Sequence, residues 1–142
     1  KPVVDPDAIL KTVSCWSAGR QERHCGGCVP CILRRFATLS AGLPDQAYMM
    51  DLLEDPLGYR GTDAYGNLID LLAQVVAFHG RTPCQILLQY PSLLDLRHAG
   101  VEVDDVINTL KRYAAETYDV AAEHFPKVME LMREGIGNGN GF

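Results

Sequence analysis

The chain lacks three features that would each indicate a particular class of protein. No run approaches the ~20 apolar residues that a helix needs to span a bilayer, so no membrane segment is predicted. Positive charge is not in excess, since 13 Lys and Arg stand against 18 Asp and Glu, and the net charge of −5 makes nucleic acid an unexpected partner. The alternation of apolar and polar residues typical of strands is nearly absent. These absences predict one small, soluble, all-α domain.

A secretory signal is also absent from the start of the chain. Residues 1–5 read KPVVD, which is not a basic segment followed by an apolar stretch. We therefore expect a cytoplasmic protein, and a start without methionine fits a fragment of a longer one. A disulfide framework is disfavoured, because it needs an oxidising compartment and would leave one of the five cysteines over.

Four cysteines lie within 17 residues near the start of the chain, with the spacing C-x9-C-x2-C-x2-C, and we call them the cysteine cluster: Cys15, Cys25, Cys28 and Cys31. Four thiolates at such spacing suit one tetrahedral zinc ion with Zn–S bonds of about 2.3 Å. An iron–sulfur cluster and a metal-free set of thiols are the alternatives that the spacing leaves open. The fifth cysteine, Cys84, is predicted to be a small buried apolar residue.

Capping residues and apolar periodicity predict a succession of helices. Asp5-Pro6 begins a short helix that ends near Ser14, and Pro30 opens a second helix with Cys31 in its first turn, where the helix dipole favours a thiolate. Loop residues are predicted over Leu57–Gly66, and the remaining predicted helices are Pro44–Leu53, Asn67–His79, Pro83–His98 with a break at Tyr90-Pro91, Val103–Phe125 and Pro126–Arg133.

The residues around the cysteines resemble the zinc segment of the QueC-like family, the 7-cyano-7-deazaguanine synthases of queuosine precursor biosynthesis. That family carries T-x-S-C-[YW], a short polar loop, and then C-G-x-C-x-x-C-x-x-R. The residues that fit this pattern, besides the cysteine cluster itself, are Thr12, Ser14, Trp16, Gly26 and Arg34. The resemblance covers residues 5–40, about a quarter of the chain.

The resemblance implies an ATP-dependent ligase that adenylates the carboxylate of a 7-deazaguanine and converts it to a nitrile with ammonia. In that family an N-terminal α/β domain with an S-G-G-x-D-S phosphate loop binds the nucleotide. This chain contains no such stretch. We therefore expect residues 1–43 to be the zinc-binding segment, 44–134 a helical C-terminal extension and 135–142 a flexible tail, with ATP bound only by a separate nucleotide-binding domain or subunit.

Basic residues concentrate around the cysteine cluster. Residues 1–43 hold six Lys and Arg against three Asp and Glu, whereas residues 44–142 hold seven against fifteen. Four thiolates on one zinc ion carry a net charge of −2, which nearby cations neutralise. The alternative is that Arg20, Arg23 and Arg34 contact an anion such as a phosphate or a substrate carboxylate. Trp16 is expected to pack over the zinc loop rather than to stack on a base.

No catalytic residue is predicted for the chain by itself. His79, His98 and His124 lie near helix ends, without a carboxylate or cysteine at metal-like spacing. Two functions are therefore weighed: a zinc-binding C-terminal domain of a QueC-like ligase, and a stand-alone zinc-binding module for protein interaction. Substrate and oligomeric state are left open, including a homo-oligomer.

Overall fold

The described part of the chain folds mainly into helices. The structure is a computed structural model that describes residues 5–17 and 23–134, and no strand occurs in these ranges. The helices are α1 (Pro6–Lys11), α2 (Val29–Ser40), α3 (Asp63–Gly80), α4 (Pro83–Gln89), α5 (Val103–His124) and α6 (Pro126–Glu134), with 3₁₀ helices at Pro56–Tyr59 and Pro91–Ala99. The predicted all-α class is therefore confirmed, and the four cysteines lie together at the N-terminal end of the domain.

Local sequence signals account for most helix ends. Proline occupies the first or second position of α2, α4 and α6, where the missing N–H costs no helical hydrogen bond. Thr62 and Thr82 cap α3 and α4 by accepting a backbone N–H with their hydroxyls, and Gln85 completes a capping box at α4. Gly100 ends the Pro91–Ala99 helix at a φ of +73°, a conformation that glycine adopts without strain. The predicted break at Tyr90-Pro91 is confirmed.

The longest helix, α5, organises the core by packing against α2, α3, α4, α6 and the Pro91–Ala99 helix. Its apolar stripe meets that of α3 in one continuous cluster of buried side chains. The large side chains that are almost fully buried in this cluster are Ile32, Phe36, Leu52, Leu53, Leu68, Leu72, Val75, Ile86, Ile107, Phe125 and Val128.

Helix α2 belongs to this core, although its sequence lies in the predicted zinc-binding segment. Phe36 of α2 meets Phe125 edge to face, with ring centroids 6.0 Å apart at 86°. Ile32, one turn earlier, is equally buried. The loop that carries the cysteine cluster is thus attached to a helix that the C-terminal helices hold in place. The predicted boundary at residue 43, between the zinc-binding segment and the helical extension, stays a prediction. The predicted tail, 135–142, lies outside the described residues.

The prediction of a helix over Pro44–Leu53 is wrong. Residues 44–55 instead form an irregular segment in which the N–H groups of Met49 and Met50 donate to the carbonyls of His24 and Cys25, both at 3.0 Å. Those tertiary hydrogen bonds replace the helical ones, while Leu52 and Leu53 are still buried. Smaller differences are that α1 ends at Lys11 and that α3 begins at Asp63, inside the predicted loop.

No helix in the part of the chain that the structure describes is both long enough and apolar enough to cross a membrane.

Candidate metal centre

Three short stretches of chain bring the cysteine cluster together. Cys15 follows α1 in an extended arm, Cys25 lies in the loop before α2, Cys28 is the residue preceding α2, and Cys31 lies in its first turn, as predicted. The four Sγ atoms all lie within 4.8 Å of one another. No disulfide joins them, since all four are free thiols. Residues far apart on the arm and the helix therefore converge on a point where one metal ion can be held.

Backbone N–H groups surround the sulfur atoms. The N–H groups of Ser17 and Cys25 each lie 3.4 Å from Cys15 Sγ, and the N–H of Cys28 lies 3.4 Å from Cys25 Sγ. Donors of this kind stabilise negative charge on sulfur, whether the thiolate is free or bound to a metal. These donors therefore favour negative charge on Cys15 and Cys25, in competition with burial.

The thiol pKa values reflect the competition between burial and these donors. Burial raises the pKa of Cys15, but hydrogen bonds from the N–H groups of Cys25 and Ser17 and from the thiols of Cys25 and Cys31 together outweigh it and lower the pKa to about 7. Burial dominates at Cys25 and Cys31, whose pKa values are raised. The metal-free cluster thus holds one easily ionised thiol, Cys15, beside two thiols whose ionisation is disfavoured, Cys25 and Cys31, and a bound cation would favour their ionisation.

Two glycines between the cysteines allow the rest of the domain to approach the loop closely. Gly26 has a φ of +85°, and a Cβ at this position would lie 2.2 Å from the carbonyl oxygen of Met50. A Cβ at Gly27 would lie 2.6 Å from Cβ of Ala64 in α3. Asn67 of α3 adds a hydrogen bond from Nδ2 to the Gly27 carbonyl at 3.1 Å. The loop is consequently packed from one side by the 44–55 segment and by α3.

Arg34 ties the arm that carries Cys15 to α2. Its Nη2 donates to the Ile9 carbonyl at 2.5 Å and its Nη1 to Thr12 Oγ1 at 2.8 Å, while Nε donates to Gln46 at 3.2 Å. All three donor nitrogens of the guanidinium thus have protein acceptors. The arginine that ends the QueC-like pattern therefore positions one arm of the metal loop in this structure.

Arg35 attaches a second stretch of chain, the 44–55 segment, to α2. It is buried and forms ion pairs of 2.6 Å with both Asp45 and Asp51, and its guanidinium lies 4.8 Å from the ring centroid of Phe125. Burial lowers the pKa of Arg35, but hydrogen bonds from its guanidinium to Asp45 and Asp51 outweigh this effect and raise it. The ion pairs of Arg35 were not predicted from the sequence, in which Arg35 is one of the six basic residues of residues 1–43. The acidic residues in the segment that follows α2 were the sequence feature that could have indicated them.

The predicted anion-contact residues have different surroundings. Arg23 is exposed beside the loop, Arg34 is engaged as described, and Arg20 lies outside the described residues. Their contact with an anion stays a prediction. The expectation that Trp16 packs over the loop is wrong, because 74% of its surface is exposed, and the expectation that Cys84 is buried is also wrong.

Exposed apolar side chains flank the metal loop. Val13, Trp16 and Met49 are 66%, 74% and 58% exposed. Val13 and Trp16 bracket the ligand Cys15 in sequence, and Met49 is hydrogen-bonded through its backbone to His24, next to Cys25. We call these three residues the loop patch. Contiguous exposed apolar surface marks contact sites, and the position of these three side chains around one loop makes them a candidate for such a surface.

Comparison of the chain with protein-family models, with curated proteins and with solved structures finds no match.

Proposed function

We propose that this chain is a zinc-binding domain in which the cysteine cluster holds one structural Zn²⁺, and that it acts as an accessory domain of a QueC-like, ATP-dependent ligase. The observation that carries the zinc proposal is the convergence of four Sγ atoms within 4.8 Å. With four protein ligands the coordination sphere is full, which is typical of structural rather than catalytic zinc. When bound, the ion cross-links the arm, the loop and the start of α2.

The sulfur spacing favours a single ion over an iron–sulfur cluster. Zn–S bonds of about 2.3 Å in a tetrahedron place the sulfurs about 3.8 Å apart. Cys25 Sγ lies 3.8 Å from Cys31 Sγ. A [4Fe–4S] cluster needs more widely spaced thiolates, because four irons and four sulfides lie between them. Zinc is further favoured over a single iron by the abundance of Cys₄ zinc sites in small domains of this kind.

The resemblance to QueC-like enzymes supports the choice of partner. Three residues of the pattern beyond the cysteines have a local explanation: Thr12 accepts a hydrogen bond from Arg34, and Gly26 permits the close approach of Met50. These contacts support a role for that part of the pattern in the construction of the metal centre. Accordingly, adenylation of a 7-deazaguanine carboxylate, or of a related carboxylate, is assigned to a nucleotide-binding domain or subunit that carries the S-G-G-x-D-S loop.

A protein-interaction module that works without a ligase is the second candidate. The loop patch favours it, because tryptophan and methionine are enriched where proteins meet. The two candidates differ in what the patch contacts. In a ligase it packs against the nucleotide-binding domain, whereas in a stand-alone module it binds an unrelated protein.

Metal content is the first test. Elemental analysis of the purified chain, with an absorption spectrum alongside, is expected to give one zinc per chain and no visible colour. Iron with a broad visible absorption would refute the zinc proposal.

The ligase role has a separate test. ATP–pyrophosphate exchange is measured with 7-carboxy-7-deazaguanine on the product of the parent reading frame, with and without residues 5–134. Loss of exchange on deletion supports the accessory role. A parent frame without an S-G-G-x-D-S loop, or exchange unaffected by the deletion, refutes it and leaves the interaction module.

A further inference from the structure

The sulfur atoms of the cysteine cluster are close enough to bond to one another as well as to a metal ion. All four Sγ atoms lie within 4.8 Å of one another, and Cys25 Sγ lies 3.8 Å from Cys31 Sγ. A small rotation of the two side chains is enough to bring such a pair to bonding distance. The same residues can therefore form a four-thiolate metal site, or a disulfide with two remaining thiols, and each state excludes the other.

Cys25 and Cys31 differ in exposure. Cys25 is partly exposed, whereas Cys31 is fully buried. A small oxidant such as hydrogen peroxide reaches Cys25 from solvent more readily than it reaches Cys31. An oxidised cysteine beside a second thiol condenses with it to a disulfide, which protects the first sulfur from further oxidation. The pair thus has the arrangement of an oxidisable cysteine and a resolving cysteine.

Contacts that do not involve the metal hold both members of the pair. Cys31 lies in the first turn of α2, next to Ile32, which is buried in the helical core. The carbonyl of Cys25 accepts a hydrogen bond from the N–H of Met50 at 3.0 Å. The pair is therefore expected to stay together when the metal leaves.

Cys15 lies on the arm that follows α1, and its link to the rest of the cluster runs through its sulfur. Arg34 fastens the arm at Thr12, and Cys15 Sγ accepts the N–H of Cys25 at 3.4 Å. Trp16 of the loop patch follows Cys15 directly and is 74% exposed. Loss of the metal would remove the strongest link at Cys15 and so loosen the part of the arm that carries Trp16.

We propose that the cysteine cluster is a peroxide-sensitive switch, in which oxidation joins Cys25 to Cys31, releases the metal and frees the arm that carries Trp16. The switch rests on the zinc site proposed above. It controls whether Val13 and Trp16 of the loop patch are held beside the loop, and hence whether the patch can act as one contact surface.

The oxidation consumes one hydrogen peroxide and two thiolates. The Cys25 sulfur attacks one peroxide oxygen and the O–O bond breaks, which gives a sulfenic acid and a hydroxide ion. The Cys31 sulfur then attacks the Cys25 sulfur, the S–O bond breaks, and a second hydroxide leaves. Two protons from solvent convert the hydroxides to water. The sulfurs lose two electrons, the peroxide gains them, and only two thiolates of the cluster are left as ligands.

The test uses the full zinc-loaded chain, whose metal content is measured before any oxidant is added. Millimolar hydrogen peroxide is expected to release one zinc per disulfide formed, followed with a colorimetric chelator. N-ethylmaleimide should then label Cys15, Cys28 and Cys84 but not Cys25 or Cys31, as located by mass spectrometry. Dithiothreitol and added zinc should restore the original metal content.

Tryptophan fluorescence reports the arm separately, because Trp16 is the only tryptophan in the sequence. Its anisotropy is expected to fall as zinc is released and to recover on reduction with zinc present. Far-UV circular dichroism should change little, since the core of α3, α5 and α6 does not include the cysteine cluster.

Two variants assign the reacting sulfur. Cys25→His keeps a ligand that zinc accepts, and it should release zinc at least about tenfold more slowly under peroxide, because no sulfur remains there to be attacked. Cys84→Ser, which removes the exposed cysteine outside the cluster, is the matched control and should respond like the parent.

The outcomes separate the switch from the zinc site on which it rests. A chain without zinc before oxidation would overturn both proposals. Zinc that stays bound under peroxide, or zinc release that dithiothreitol cannot reverse, would reject the switch and leave the metal site standing. A disulfide between other cysteines, or equally fast release from zinc-loaded Cys25→His, would show that Cys25 and Cys31 are not the reacting pair. Unchanged Trp16 anisotropy after zinc release would show that the arm is not freed.

Discussion

The metal loop and the helical core of this domain are held together by different forces. Residues 12–17 and 23–31 contain little buried apolar surface, and they are held by the convergence of the four sulfur atoms, two closely packed glycines and hydrogen bonds to Arg34 and Asn67. Helices α3, α5 and α6 instead bury a continuous apolar cluster. The comparison indicates that a bound metal ion would stabilise the loop, which has little apolar core of its own, more than it would stabilise the helices.

Helix α2 connects the two regions and belongs to both. Its first turn supplies Cys31, and five residues later Phe36 packs on Phe125. Between them Arg34 and Arg35 point in different directions, one fastening the arm with Cys15 and the other fastening the 44–55 segment that backs Cys25. We therefore expect metal binding to stabilise the loop directly and the helical core only through α2.

The largest effect is expected from loss of a metal ligand. Cys28→Ser should abolish stoichiometric metal binding and unfold the loop, because binding at such sites contributes folding free energy on the order of 10 kcal/mol. Far-UV circular dichroism should still show most of the helix content, since the α3–α5 core does not include the ligands. Cys84→Ser, at an exposed cysteine outside the cluster, should retain both metal and helix. Global loss of helix in Cys28→Ser would show that the two regions are one cooperative unit.

The next largest effect is expected at the contact between the two regions. Phe36 is 1% exposed, and truncating such a side chain to alanine typically costs about 3–5 kcal/mol. Urea denaturation of the metal-loaded Phe36→Ala chain should show this loss, while Leu57→Ala, at a half-exposed position, should change stability by less than about 1 kcal/mol. If Phe36→Ala lowers stability no more than Leu57→Ala does, α2 does not transmit stability between the regions.

A smaller effect is expected from Arg35→Gln. The change removes charge-assisted hydrogen bonds to Asp45 and Asp51, which are themselves partly exposed, so a loss of about 1–3 kcal/mol is expected. Because the 44–55 segment backs the metal loop, zinc transfer to a chelator should also become faster. Arg112→Gln, at an exposed i,i+4 pair, is the control and should alter neither quantity. A lower free energy of unfolding with an unchanged rate of zinc transfer would show that Arg35 does not influence the metal centre.

Much of the helical architecture could be predicted because its signals are local. Prolines and threonines at helix starts and the apolar stripe of Val103–Phe125 placed α4, α5 and α6 to within one or two residues. The cysteine cluster could likewise be predicted, because its spacing alone brings three sulfurs to one turn. The segment 44–53 was misjudged, since its helical pattern is overridden by hydrogen bonds to His24 and Cys25, which lie about twenty-five residues earlier.

The sequence by itself determined the helical class, the cysteines that converge as candidate metal ligands and the positions of the capping residues, because each depends on neighbours within a few turns. Only the tertiary structure decided that Arg34 and Arg35 fasten two different segments and that Trp16 faces solvent. Those facts depend on which distant side chains meet, and no local pattern encodes such meetings.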